Sequence, residues 1–156
     1  MHPHNAPDYF EETAFIAGGC FFTKAKTVKH VPYDPYLYFT GEEVNYAIRL
    51  WTHGYNIYLP TQSFLYHDYH ATREFPRFNH SSDNPETYNL MWAASMARMR
   101  HILGIEESKD IYITQRLDEF CLGKERTLVE WQYRFGLHFT KKLITKNATD
   151  GFFGSY

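Results

Sequence analysis

The sequence predicts an α/β fold. Short apolar runs of strand length, rich in aromatic residues, recur through the first half of the chain. Between and after them stand segments with helical spacing and recognisable caps. Length fixes the scale: 156 residues make one domain, enough to bury roughly 68–70% of the unfolded surface.

Taken in order, Ala14 to Thr23 reads as an apolar strand interrupted by Gly18-Gly19. Paired glycines inside a strand mark a bulge or a place where something approaches the backbone closely. Residues 24–40 read as loop and short extended pieces, because Pro32 and Pro35 argue against a helix there. Residues 41–53 read as a helix, with Val44, Ala47, Ile48 and Trp51 on one face. Thr40 is placed to cap it with Glu43 as capping-box partner, and Gly54 suits its end. Residues 56–59 and 63–66 read as two short strands around Pro60, followed by a loop over 67–84. Asn84-Pro85 opens a second long helix, about 85–103, that Gly104 ends. Thr127 and Glu130 repeat the capping-box pattern before a short helix that stops at Gly136. The division is therefore one unit over 1–140 and a polar tail over 141–156.

Composition narrows the function classes. Hydrophobic residues at 44% and charged residues at 22% exclude an intrinsically disordered chain. A net charge of −2 gives no basic field, so no nucleic-acid partner is expected. No apolar run approaches the ~18 residues of a membrane span, and the residues after Met1 have no signal-like apolar stretch. No membrane partner is expected, and a cytoplasmic location is. Two cysteines make no disulfide framework, and Cys20 reads as a small buried hydrophobe. Thirteen Tyr and thirteen Phe suit binding walls, since the ring stacks while a hydroxyl reaches a partner. Sugars and nucleobases are typical guests of such walls, although an aromatic core explains the composition as well.

Four features could carry chemistry. Gly18 and Gly19 leave backbone open to a ligand. Glu42 and Glu43 stand at a helix N-terminus, where the dipole favours carboxylates. The capping box engages Glu43, which leaves Glu42 for a ligand. His67 and His70 flank Asp68 and Tyr69 at the end of an expected strand, and in a turn the two imidazoles could meet on one metal. Arg73 and Arg77 suit a diphosphate. Each has a plain structural alternative: a bulge, a dipole partner, surface histidines, solvated arginines.

In order, Ala17-Gly18-Gly19, Tyr33-Asp34-Pro35, Gly41-Glu42-Glu43 with Arg49, Trp51 and Gly54, Pro60, and His67-x-Tyr69 resemble the second half of a GT-A glycosyltransferase domain. The family most resembled is the UDP-GlcNAc transferases that modify hydroxyproline on the ubiquitin-ligase subunit Skp1. The polypeptide N-acetylgalactosaminyltransferases are more distantly similar. The resemblance implies a mixed sheet with flanking helices and retaining transfer of GlcNAc from UDP-GlcNAc to a protein hydroxyl. It implies a catalytic pair in Glu42 and Glu43, with Glu42 on the donor-sugar hydroxyls. Gly18, Gly19, Tyr33, Asp34, Tyr69 and Arg73 would bind substrate, and His67 would be a ligand of Mn²⁺. His70 stands where those relatives carry an arginine, and Phe39-Thr40 stand where they carry a tryptophan. No Asp-x-Asp occurs in the chain. The metal-binding half that such a motif belongs to is thus an expected partner, as is self-association. A non-catalytic sugar- or partner-binding module, and a small hydrolase built on His67, Asp68 and His70, remain as alternatives.

Overall fold

The computed structural model describes residues 10–62, 64–66 and 84–150. Its elements are β1 (Glu11–Glu12), α1 (Ala25–His30), α2 (Glu42–Thr52), β2 (Tyr58–Leu59), α3 (Pro85–Ile102), α4 (Ile111–Thr114), α5 (Leu117–Phe120), α6 (Leu128–Phe135), β3 (Leu137–His138), β4 (Leu143–Ile144) and α7 (Lys146–Thr149). β1 pairs antiparallel with β2, Glu11 opposite Leu59, and β3 with β4, Leu137 opposite Ile144. Helices and strands coexist, as an α/β chain requires. Among the described residues the strands form only these two-stranded ladders, and the larger mixed sheet implied by the resemblance is not among them.

α2 is the element the rest packs around. Ile48 and Trp51 enter one apolar cluster with Ala14, Leu103, Trp131 and Phe135. Tyr46, Ala47 and Leu50 enter a second with Ile16 and Val31. Each large apolar side chain so buried contributes about 1.5–3 kcal/mol. Apolar residues on two sides leave the polar ones between them inside as well, so every residue from Asn45 to Thr52 is buried. Buried polar groups need partners. The Arg49 guanidinium donates to the carbonyls of Pro32 (2.7 Å), Cys121 (3.3 Å) and Glu119 (3.3 Å). Thr52 Oγ1 accepts from the Gly123 N–H at 2.9 Å. A Cβ on Gly123 would stand 2.4 Å from the Thr52 carbonyl oxygen, so only glycine lets this segment lie against the end of α2.

Several local expectations hold. The Asn84 side chain caps α3 by accepting from the Thr87 N–H at 3.2 Å, with Pro85 next to it. The capping box of Thr127 and Glu130 forms at the start of α6, and Gly136 closes that helix in the left-handed region.

Others are corrected. The chain from Ala14 to Thr23 is not a strand. The Thr13 N–H donates to the Ile57 carbonyl at 2.8 Å, after which the backbone leaves the ladder, and Gly18-Gly19 form a turn closed by Cys20 N–H to the Ala17 carbonyl at 3.1 Å. Residues 25–30 are helical although the region reads as loop; Ala25 and the lysines favour a helix, and Pro32 acts only beyond its end. Phe64–Tyr66 are not in a strand, and Ser63 lies outside the described residues. The capping box of Thr40 and Glu43 does not form. Phe39 and Gly41 both adopt left-handed φ (48° and 81°), so Gly41 becomes the N-cap and Glu43 only the second helical residue. Cys20 is exposed, not buried. The segment from Lys141, read as a tail, carries β4, and its Thr145 N–H donates to the Gly136 carbonyl at 2.9 Å.

Candidate functional site

The shift of the α2 cap decides what its first carboxylates do. Freed from the capping box, Glu43 reaches across to the turn, and its Oε1 accepts from the Gly18 N–H at 2.5 Å. An ionised acceptor makes this bond stronger than a neutral one. Tyr33 belongs to the same corner: its hydroxyl lies 3.5 Å from where a Cβ of Gly18 would be, and its ring packs on Tyr46 with centroids 4.8 Å apart. Tyr46 also packs edge-on against Phe21, just beyond the turn, with centroids 5.6 Å apart. The Tyr46 hydroxyl is buried and has no hydrogen-bond partner among the described residues. Glu42 stands half-buried beside Glu43 and makes no hydrogen bond or ion pair with a described residue.

The electrostatics follow from this crowding. Partial burial, then the negative charges of Glu42 and Glu43, push the Tyr33 phenol up to about 12. It therefore remains protonated at any ordinary pH and acts as a hydrogen-bond donor. Burial also raises Tyr46, with the Arg49 guanidinium opposing it. The corner thus offers a phenol donor, an uncommitted carboxylate and an exposed glycine turn on one side of the helix start. That combination suits a neutral, hydroxyl-rich ligand, whose groups both donate and accept.

The structure thus brings together Gly18, Gly19, Tyr33, Glu42 and Glu43. It places Asp34 elsewhere. Asp34 is 2% exposed and both its oxygens are engaged, Oδ2 by Arg98 Nε at 2.8 Å and Oδ1 by the Tyr36 N–H at 3.0 Å. Arg98 Nη1 goes on to the carbonyls of Ile113 and Gln115. Asp34 is therefore part of an internal joint between the 33–38 segment and α3. No local pattern marks its partner, which lies 64 residues away. His67, Tyr69 and Arg73 lie outside the described residues, as do Asp68, His70 and Arg77. Among the described residues no three His, Cys, Asp or Glu side chains come together to hold a metal.

A cavity of about 520 Å³ opens on the other flank of the turn. Ala17 and Cys20 line it, with Phe15, Phe21, Tyr58 and Phe64, while Gly18, Gly19, Tyr33, Glu42 and Glu43 do not. Its volume is that of a small-molecule pocket, and its walls are mostly apolar, with seven aromatic rings among the eighteen lining residues. No helix among the described residues is long and apolar enough to cross a membrane.

No curated protein and no solved structure matches the chain. A family model does: the one described as Glycosyltransferase (GlcNAc) matches residues 3–141. That span includes the glycine turn, the start of α2 and both apolar clusters around it. The match thus covers the packed unit and its candidate site together, and the chain belongs to the GlcNAc glycosyltransferase family.

Proposed function

We propose that the chain is the acceptor-side half of a GT-A-type domain that transfers GlcNAc from UDP-GlcNAc to a protein hydroxyl with retention of configuration. The Skp1-hydroxyproline transferases are the relatives whose motif order it shares. The observation that carries the proposal is the corner itself: Glu43 bonded to Gly18, with Tyr33 and Glu42 beside it. In the transfer, the acceptor oxygen bonds to the anomeric carbon, and the diphosphate leaves with the electron pair of the bond that breaks. The hydroxyl proton passes to the departing diphosphate. Glu42 accepts hydrogen bonds from sugar hydroxyls and Tyr33 donates to one. Gly19 lies against the ring. His67 is the proposed ligand of Mn²⁺, which would neutralise the diphosphate as a Lewis acid. The roles of Gly19, Tyr33 and Glu42 need no metal.

Without an Asp-x-Asp, the chain lacks the carboxylates expected to hold that metal, and the proposal assigns them to a donor-binding half. The same reasoning predicts weak binding by this chain alone: a Kd of about 1 mM or weaker, no more than ~4 kcal/mol. Residue-resolved NMR detects such binding. Titrating UDP-GlcNAc to several millimolar with Mg²⁺, a diamagnetic substitute for Mn²⁺, should move the amide signals of Gly18, Gly19, Tyr33 and Glu42 together along one curve. Shifts confined to other residues, or none, overturn the proposal.

A further inference from the structure

We infer that the cavity beside the glycine turn seats the acceptor polypeptide, taking an uncharged apolar side chain that flanks the hydroxyl to be modified. This assignment rests on the glycosyl-transfer reading above and specifies its acceptor. The cavity holds about 520 Å³, the size of a ligand site rather than of a packing gap. Part of its wall is buried: Thr13, Ile16, Thr27 and Leu50 are each 9% exposed or less. Other lining residues are the opposite. Phe10, Phe22 and Phe64 are 72%, 98% and 70% exposed. Three large rings left in water at one cavity form an apolar patch of the kind that marks an interaction site.

Charge selects the occupant. None of the eighteen lining residues is Asp, Glu, Lys, Arg or His. A charged side chain would lose its hydration there and find no opposite charge, so an uncharged one is favoured. The rings of the wall can pack on proline or aromatic side chains of an extended peptide, as aromatic-lined grooves do. One buried polar group has no partner. Thr27 is 5% exposed, lines the cavity, and its hydroxyl bonds to no described residue. An unpaired buried hydroxyl is costly, and a backbone carbonyl of a bound peptide would accept from it.

Position connects the cavity to the donor corner. Ala17 and Cys20 line it, and between them lie Gly19 and Gly18, whose N–H donates to Glu43. Phe21 also lines it and packs on Tyr46, which packs in turn on Tyr33. Two ring contacts thus lead from the cavity to the phenol of the corner. A residue anchored in the cavity leaves its neighbour along the peptide at the turn, with the donor sugar on the far flank.

The test titrates the full chain by NMR with three capped pentapeptides. Each has a central hydroxyproline, flanked on both sides by phenylalanine, by alanine or by glutamate. The phenylalanine peptide should shift the amides of Ile16, Phe21 and Thr27 and bind roughly tenfold more tightly than the alanine peptide, with the glutamate peptide weakest. Phe22→Ala should keep the parent's melting temperature and weaken the phenylalanine peptide roughly tenfold. Thr27→Val removes a hydroxyl without a partner, so it should not lower the melting temperature, yet it should weaken that peptide about threefold. A Thr27 that serves only the fold would do the reverse. Equal affinity for the three peptides, shifts confined to other residues, or parent-like binding by Phe22→Ala overturns the inference. So do cavity amides that move with protein concentration alone, for then a second copy fills the site. The donor reading is decided on other signals, those of Gly18, Gly19, Tyr33 and Glu42 with UDP-GlcNAc. If these respond and the peptides do not bind, the acceptor site falls and the donor reading stands. If peptides bind the cavity while the donor never reaches the corner, the donor reading falls and the acceptor role falls with it.

Discussion

Asp34 and Arg98 form an ion pair inside the protein, each side chain 1% exposed. Arg49, also fully buried, feels the Asp34 charge. Asp34 thus serves two buried guanidinium groups, of which only Arg98 bonds to it. Removing one partner of a buried pair costs about 3–5 kcal/mol, because the other charge is stranded. Asp34→Ala should therefore shift the urea midpoint by that equivalent, and an unshifted midpoint would show that the pair stabilises nothing. Tyr33 gives a second prediction, with its sign set by linkage. The folded phenol titrates at about 12 against 10.0 for the free group, so between those values the unfolded chain has lost a proton the folded chain keeps. Stability is complete below pH 10 and falls as pH rises toward 12. Tyr33→Phe should lose that part of the alkaline slope in pH-dependent unfolding, and a slope identical to the parent's would contradict the burial of the phenol. Neither feature was legible in the sequence. Asp34 stands in a Tyr-Asp-Pro pattern that resembles a donor site, and nothing local announces an arginine 64 positions later.

Elements were more legible, and where they were not the reason is specific. Two identical patterns, Thr-x-x-Glu, occur at Thr40 and Thr127. Only the second becomes a capping box. After Thr127 comes Leu128, which takes the first helical position. After Thr40 comes Gly41, which adopts φ 81° and takes the cap itself. The pair makes a direct comparison: Thr127→Ala should destabilise by about 0.5–2 kcal/mol, while Thr40→Ala should leave the unfolding midpoint unchanged. Equal losses in both would mean that Thr40 caps after all. Gly41 should be intolerant, since a Cβ there would lie 2.5 Å from the Met99 sulfur as well as in a strained backbone region. α1 carries no apolar periodicity, since its buried residue is Thr27, and Pro32 and Pro35, which argue against a helix, lie beyond its end.

At the scale of the molecule, one buried helix joins two apolar clusters and ends, at its N-terminal side, in the carboxylates of the candidate site. Family membership over residues 3–141 and this corner support the same functional reading. The order of glycine, tyrosine and glutamate motifs let the sequence bring Gly18, Gly19, Tyr33, Glu42 and Glu43 under one heading. It misassigned the duty of Glu43, because that depends on a cap displaced by one residue. The central claim is that the adjacent glutamates have separate duties, Glu43 on the turn and Glu42 on the donor. The most direct measurement is the UDP-GlcNAc affinity of Glu42→Gln beside its melting temperature. The expected result is at least a tenfold loss of affinity, ~1.4 kcal/mol, with an unchanged melting temperature. Parent-like affinity, or a loss that only accompanies unfolding, would contradict the claim.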